Sequence, residues 1–311
     1  PGFGRYRALS RYMRGFDLVL TYNWGAMDAV GARRLFPRGC PSLIHHEDGF
    51  NADEAKRLNW KRNAFRRLTL DAAQRIVVPS VTLEHIALTT WMQTADRIAR
   101  IPNGIDTALY AVPPKAGAIP GLTRKEGDIV VGTLAGLRPV KNLPRLVRAV
   151  APLPPNVKLV IVGEGPEREA IQAEAVRLGM GDRLIMPGFL PHPHLYVGLF
   201  DIFALSSDSE QFPISLVEAM AAGKPVASTD VGDVKTIVAP ENRPYIVDAA
   251  RDEAFSAALS ALASDAGLRA RLGEANRTLA SATYDERAMI AGYAALYEGA
   301  MRRPGAFSAA T

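Results

Sequence analysis

Cysteine is nearly absent from this sequence: Cys40 is the only one in 311 residues. No intramolecular disulfide can form, which excludes the small secreted scaffolds that depend on such staples and points to a reducing, cytoplasmic setting. Long hydrophobic runs are missing too, and no stretch approaches the roughly 18 consecutive apolar residues of a membrane-spanning helix. Aromatic residues make up only 7%. No zinc-finger spacing or RNP motif is present, so no nucleic-acid partner is expected. Neither sign of charge dominates, since 37 Lys and Arg against 32 Asp and Glu leave +5. So small an excess suits an anionic small molecule or a lipid surface as well as a polynucleotide.

What the chain does have is alternation. Short apolar, β-rich runs cover 18–23, 41–46, 75–80 and 100–102, with helical patterns over 25–36, 52–70 and 81–91. A Pro- and Gly-rich stretch without periodicity, 113–128, reads as a linker. Beyond it, strands over 129–132, 158–162, 183–186, 202–205, 225–228 and 245–247 alternate with helices over 142–150, 166–178, 213–222 and 251–263. Strands this continuously apolar belong to parallel sheets buried on both faces. The expectation is an α/β fold of two doubly wound parallel-sheet domains in series, over 1–112 and 129–285. Ligands of such sheets bind beyond the carboxyl ends of the strands, so the residues that follow each strand are the functional candidates.

The richest of these segments runs from Ser207 to Met220. It leaves a buried strand and enters a helix, with Pro213 suited to the first helical turn. Two acids frame the junction, Glu210 on the loop and Glu218 inside the helix. A helix N-terminus offers N–H groups to phosphate, and carboxylates accept hydrogen bonds from hydroxyls. Together they suit a nucleotide-sugar. The plainer reading makes Glu210 a capping acid and Glu218 a solvated helix residue. After the first strand of the second half, Gly136, Arg138 and Lys141 precede another helix. There a guanidinium fork and an ammonium can reach one anion, or simply form a solvated basic turn.

Three other features are weaker. Gly163-Glu164-Gly165 follows a strand like a dinucleotide fingerprint, but Arg168 stands where the third glycine belongs and no acid ends the next strand. A nicotinamide or flavin cofactor is therefore not expected. His45, His46 and Asp48 end a strand in the first half, and Asn23 ends its neighbour. Adjacent histidines point to opposite sides of a strand, which argues against a shared metal and for hydrogen bonding to a substrate or a structural strand end. The helix near 53–70 carries Lys56, Arg57, Lys61, Arg62, Arg66 and Arg67 with Trp60 and Phe65. A solvated face is the default there, and a peripheral contact with anionic lipid is the alternative.

Glu210 and Glu218, with seven residues between them, give the E-x7-E pattern of retaining glycosyltransferases. The flanks "SEQFPISLVEAMAAGKPVASTDVGD", "LRPVKN", "KLVIVGEGPER" and "IPNGID" resemble glycosyltransferase family 4, and the likeness extends from about Asp17 to the end. The resemblance implies a GT-B fold, two Rossmann-like domains facing across a cleft, the donor mainly on the second and the acceptor mainly on the first. It implies that Lys141 and Arg138 neutralise the diphosphate of a UDP-, GDP- or ADP-sugar, helped by N–H groups around Phe212, Ile214 and Ser215. Glu218 would hold the ribose, Glu210 the transferred sugar, and Gly188-Phe189-Leu190 the base. A saccharide or lipid-linked hydroxyl acceptor would meet the first domain at Asn23 and at one of His45, His46 and Asp48, since the family's histidine aligns at more than one of these three. Front-face displacement without a cofactor or metal is the implied chemistry, on the cytoplasmic side and in cell-envelope polysaccharide synthesis. The last helix, about 286–301 within the segment 286–311, would cross back onto the first domain.

The chain also departs from the family pattern. Where a "GRL" turn is usual it has Ala135-Gly136-Leu137, which leaves Arg138 for that role, and Pro213 replaces the second glycine of "EGFG". Two full domains of this kind usually need more residues. The expectation is that the first is incomplete at its front, by about 60–80 residues on domain size. Epimerases and phosphorylases use the same fold, and a non-catalytic nucleotide-sugar-binding subunit is the alternative of another class.

Overall fold

The computed structural model of the chain describes residues 2–49 and 58–307. It divides into two units, Pro1–Asn103 with Arg287–Thr311, and Gly104–Glu286. The first unit is a parallel sheet of β1 (Leu18–Tyr22), β2 (Ser42–His46), β3 (Arg75–Val78) and β4 (Ile98–Arg100), in that spatial order. Side chains alternate across a strand, so Leu43 and Ile44 serve opposite faces. Leu43 and Ile76 join Met13, Met27, Val30, Leu70, Leu83 and Trp91 in the core beneath α1 (Phe3–Met13), α2 (Met27–Leu35), α3 (Trp60–Thr69) and α4 (Val81–Thr89). Ile44 and Val77 face α12 (Glu286–Met301), which covers them with Tyr293, Leu296, Tyr297 and Ala300. The Ser42 hydroxyl fastens that helix, donating to the Ala300 carbonyl at 2.8 Å.

Two boundaries in this unit differ from the sequence expectation. The fourth strand lies two residues earlier than 100–102, because Pro102 has no N–H to give a ladder. The basic helix starts at Trp60, where the Asn59 side chain accepts from the N–H groups of Lys61 and Arg62. Residues 52–57 of the expected helix, with Lys56 and Arg57, lie outside the described residues.

The second unit opens with a short helix, α5 (Thr107–Ala111). Its sheet holds β5 (Ile129–Leu134), β6 (Val157–Val162), β7 (Leu184–Gly188), β8 (Ile202–Leu205), β9 (Val226–Thr229) and β10 (Ile246–Val247), all parallel, in the order β10-β9-β8-β5-β6-β7. One face packs on α6 (Leu143–Val150), α7 (Arg168–Arg177) and α10 (Asp252–Ser264), whose Leu146, Ile171 and Leu259 are fully buried. The other packs on α8 (Ile214–Ala221) and α9 (Val234–Ile237) through Leu216, Val217 and Val234.

The stretch over 113–128 is not a free linker but part of this unit. Ile119 is buried in its core, the Pro114 ring lies where a Cβ on Gly198 would fall, and Lys115 N–H donates to the Leu195 carbonyl at 2.8 Å. Its lack of periodicity reflects a segment that packs without forming an element. The second unit accordingly begins at Gly104 rather than near 129.

A long helix, α11 (Ala266–Thr283), is absent from the sequence expectation. Its buried face is made of Leu272, Gly273, Asn276 and Ala280, so it lacks the large apolar stripe that marks an amphipathic helix. Small residues let it approach α8 closely: a Cβ on Gly273 would stand 2.1 Å from the Gly223 carbonyl oxygen. Helix propensity alone favours Gly→Ala by about 1 kcal/mol. Gly273→Ala should nevertheless lower the thermal midpoint, because the new methyl strikes rigid backbone. Gly299→Ala in α12, where nothing lies within 4 Å, should raise it. Thermal denaturation of both variants checks the opposite signs, and a stabilised Gly273→Ala would refute the close contact.

Candidate functional site

In the strand order of the second unit, the winding reverses between β5 and β8. Connections leaving neighbouring strands in opposite directions open a crevice at their carboxyl ends, where such sheets bind ligands. The two loops that diverge here carry the strongest sequence candidates. They are tied together by Asp208 N–H donating to the Val140 carbonyl (2.8 Å) and the Ser206 hydroxyl donating to the Lys141 carbonyl (2.9 Å). Arg145 adds bonds to the Ser206 carbonyl and the Asp208 carboxylate.

Within this frame Lys141 Nζ lies 2.6 Å from Glu210 Oε1, and the Ser207 hydroxyl donates to the same oxygen at 2.6 Å. Both side chains are largely shielded, Lys141 at 16% and Glu210 at 9% exposure. Two residues expected to touch different parts of one ligand thus hold each other. Arg138 is exposed and makes no ion pair among the described residues, its Nε close to Gly136. It is the cation of this loop left free for an anion.

The Gly163-Glu164-Gly165 turn supports these loops rather than binding a dinucleotide. A Cβ on Gly163 would sit 1.9 Å from the Ala135 carbonyl oxygen, and one on Gly165 would sit 2.5 Å from that of Leu137. Leu137 N–H donates to the Glu164 carbonyl at 2.9 Å, so the glycines allow backbone to lie on backbone. Beside this turn is a pocket of about 450 Å³ lined by Leu134, Gly136, Glu164, Phe189, Leu190 and Tyr196. Gly188, at φ +90°, turns the chain into its rim, and Phe189 stands 72% exposed there as a flat apolar surface.

Glu218 lies on α8. Pro213 is the residue before that helix, not its first member, and its carbonyl already accepts from Leu216 N–H at 3.1 Å. The N–H groups that precede the helical ladder are those of Ile214 and Ser215. Phe212 packs edge-on against Tyr284. Glu218 Oε1 accepts from the Tyr110 hydroxyl at 2.7 Å, and burial raises the carboxyl pKa while that bond opposes the rise. Sequence reasoning missed Tyr110, which sits in a five-residue helix just ahead of the Pro-rich stretch with no periodic signal around it.

In the first unit the two histidines diverge, as alternation requires. His45 is fully buried: Nδ1 is 2.9 Å from the Thr21 hydroxyl and Nε2 is 3.4 Å from Glu47 Oε2. Glu47 in turn accepts a two-pronged contact from Arg66, at 3.0 and 3.2 Å. The Arg66 guanidinium lies over Trp24 and Trp91 at 5.2 and 5.3 Å. His45 therefore belongs to the interior rather than to an acceptor surface. Arg66 likewise leaves the expected basic face, where Lys61 and Arg67 remain exposed.

His46 turns the other way, stacked on Tyr297 with its Nε2 3.2 Å from the phenol oxygen and meeting Tyr22 edge-on. Tyr293, one helical turn from Tyr297, completes the aromatic group. Their i, i+4 spacing was the available signal. Asn23, at φ +54°, accepts from Asp48 N–H at 2.8 Å and joins the ends of β1 and β2. Of the expected acceptor residues, Asp48 is the exposed one. His192 and His194 lie 5.8 Å apart, and no group of three His, Cys, Asp or Glu side chains able to hold a metal gathers among the described residues. Among those residues no helix is long and apolar enough to cross a membrane.

The family model of glycosyl transferases group 1 matches residues 118–279, and that of glycosyltransferase family 4 matches residues 1–109. A D-inositol 3-phosphate glycosyltransferase of Segniliparus rotundus is 31% identical over 222 residues, 67% of this chain and 49% of that protein. A GDP-mannose-dependent alpha-(1-6)-phosphatidylinositol monomannoside mannosyltransferase of Mycolicibacterium smegmatis is 29% identical over 87% of this chain and 71% of its own length. The chain spans about half the length of the D-inositol 3-phosphate glycosyltransferases it matches. Among solved structures, Anabaena HepE in complex with UDP superposes with a TM-score of 0.79 at 21% identity, covering 94% of this chain and 82% of that one. Sucrose-phosphate synthase from Thermosynechococcus elongatus gives 0.77 at 23%, covering 94% and 76%. These likenesses show a GT-B fold.

Burial, reinforced by His45, lowers the His46 pKa from 6.5 to about 4. The unfolded chain therefore binds the extra proton first, and His46 withdraws stability as pH falls from about 6.5 to about 4, on the order of 3 kcal/mol. Below that window it has no further effect. Urea denaturation across pH 4–6.5 should show a shallower acid loss for His46→Phe than for the parent, and equal slopes would contradict this role.

Proposed function

The chain belongs to the glycosyl transferases group 1, glycosyltransferase family 4, and from that premise we propose that it transfers a sugar from a nucleoside-diphosphate sugar to a hydroxyl acceptor with retention of configuration. The observation that carries this reading is the Lys141–Glu210 pair at the reversal of the sheet, flanked by Arg138, the first turn of α8 and Glu218. Relatives named for GDP-mannose and for inositol phosphate, and a neighbour holding UDP, support the donor and acceptor classes.

In the proposed step the acceptor hydroxyl attacks the anomeric carbon on the face the diphosphate leaves. The carbon–oxygen bond to the diphosphate breaks, the new glycosidic bond forms, and the hydroxyl proton passes to a diphosphate oxygen. Negative charge grows on the leaving group, where Lys141, Arg138 and the N–H groups of Ile214 and Ser215 oppose it. With that positive charge supplied by the chain, no divalent ion is required. Glu210 receives hydroxyls of the transferred sugar. It forms no covalent intermediate, unlike the nucleophilic carboxylate of a retaining glycosidase. Glu218 holds ribose hydroxyls, and the pocket behind Phe189 and Leu190 takes the base. On the first unit, Asp48 with Tyr22 faces the acceptor, a saccharide or a lipid-linked alcohol. For a lipid-linked acceptor, Trp60, Lys61 and Arg67 offer a face to an anionic membrane.

Because Lys141 and Glu210 neutralise each other, their variants should differ. Lys141→Ala should weaken nucleotide binding about tenfold or more, by loss of a charge-assisted bond. Glu210→Ala frees Lys141, so nucleotide affinity should stay level or tighten while transfer is lost. A thermal-shift panel of UDP, GDP, ADP and their sugars, followed by calorimetry and product analysis, reads all three quantities. Transfer abolished by EDTA and restored by a divalent ion, or a trapped glycosyl-Glu210 adduct, would overturn the mechanism. An epimer as product would overturn the transferase reading.

A further inference from the structure

The proposed site needs Glu218 to present a carboxylate oxygen to a ribose, yet Glu218 lies on a helix whose neighbours bury most of it. Among the described residues, one protein donor reaches that carboxylate: the Tyr110 hydroxyl, at 2.7 Å from Oε1. No donor among the described residues reaches the second oxygen, Oε2. We propose that Tyr110 is a positioning residue for the nucleotide, which occupies one oxygen of Glu218 and fixes the other toward the ribose hydroxyls. The proposal rests on the nucleotide reading of this site.

Tyr110 is itself held firmly. Asp106 caps α5 by accepting from Ala108 N–H at 3.1 Å. The Thr107 hydroxyl donates to Asp285 at 2.6 Å, and the Tyr110 ring meets His194 edge-on at 6.1 Å. A phenol anchored in this way removes the rotational freedom of the carboxylate it bonds, so the acceptor is oriented before the ligand arrives. The nearby phenol does not compete for Glu218. The Tyr196 hydroxyl donates to the Leu190 carbonyl at 3.1 Å, and Tyr196 lines the pocket beside Phe189. Burial first, and the Glu218 charge second, raise the Tyr196 pKa. Donation from Tyr110 also favours the ionised form of a carboxyl that burial would otherwise leave protonated more easily.

Packing and positioning are separated by the sugar of the nucleotide. Calorimetry with UDP, GDP and ADP, each beside its 2′-deoxy analogue, should be run on the parent, Tyr110→Phe, Glu218→Gln and the double variant. Tyr110→Phe keeps the ring. It should raise the Kd of the ribonucleotide that binds by about five- to tenfold, and that of the deoxy form by less than half that factor. In the Glu218→Gln background the same change should have little effect. Equal weakening of both nucleotides, or an undiminished effect without the Glu218 carboxylate, would reduce Tyr110 to packing and overturn the inference while leaving the nucleotide site standing. Nucleotide binding untouched by Glu218→Gln would overturn the ribose role beneath it. No binding of any of the three ribonucleotides to the parent would overturn the site reading and the inference together.

Discussion

An ammonium and a carboxylate separated by 69 positions meet at 2.6 Å because the strand order of the second unit reverses between β5 and β8. That reversal sends the 135–142 loop and the 206–213 loop apart from adjacent strand ends, and one backbone bond and the Ser206 hydroxyl hold them at a fixed separation. Everything proposed for the donor depends on this arrangement. Lys141 and Glu210 are too shielded to be a casual surface pair, and each keeps the other hydrogen-bonded. A ligand that replaces this pair must bring its own negative charge to Lys141 and its own donors to Glu210. A diphosphate bearing a sugar does both. The cost of separating two partly desolvated charges then becomes part of the selectivity for such a ligand.

The first unit is organised around a different electrostatic element. Arg66, Glu47, His45 and Thr21 form a connected polar chain beneath the end of β2 in which every charged group has a partner. Buried pairs of this kind are weak evidence for net stability, but losing one partner is costly because the other stays buried and charged. Here the chain joins α3 to the end of β2, immediately before Asp48. Its worth lies in setting where the exposed Asp48 stands.

Much of this was legible in the sequence. β8 lies where its apolar run indicated, because a strand buried on both faces is apolar throughout, and α12 spans 286–301 where the family resemblance implied the last helix. The two glutamates and Lys141 stood out because they follow buried strands. The failures share one cause, which is that side-chain identity does not state what lies across the interface. Arg66 reads as a surface cation until two tryptophans and Glu47 are found around it. His45 reads as a contact for the acceptor until both its nitrogens are accounted for. α11 escaped because its contact face is glycine, asparagine and alanine, and 113–128 read as a linker because aperiodic chain can still pack. Tyr110 stands 108 positions from Glu218, and only the fold brings them together.

The tryptophans that flank Arg66 have a consequence of another kind. The chain has three tryptophans, Trp24, Trp60 and Trp91, and all belong to the first unit. Two of them sit against a guanidinium, while Trp60 stands open to solvent. The intrinsic indole emission of the molecule therefore originates in one unit alone. The second unit contributes tyrosine but no indole, so it is optically silent in that channel. A fluorescence trace and a far-ultraviolet dichroism trace recorded on one sample would thus follow different parts of the same chain.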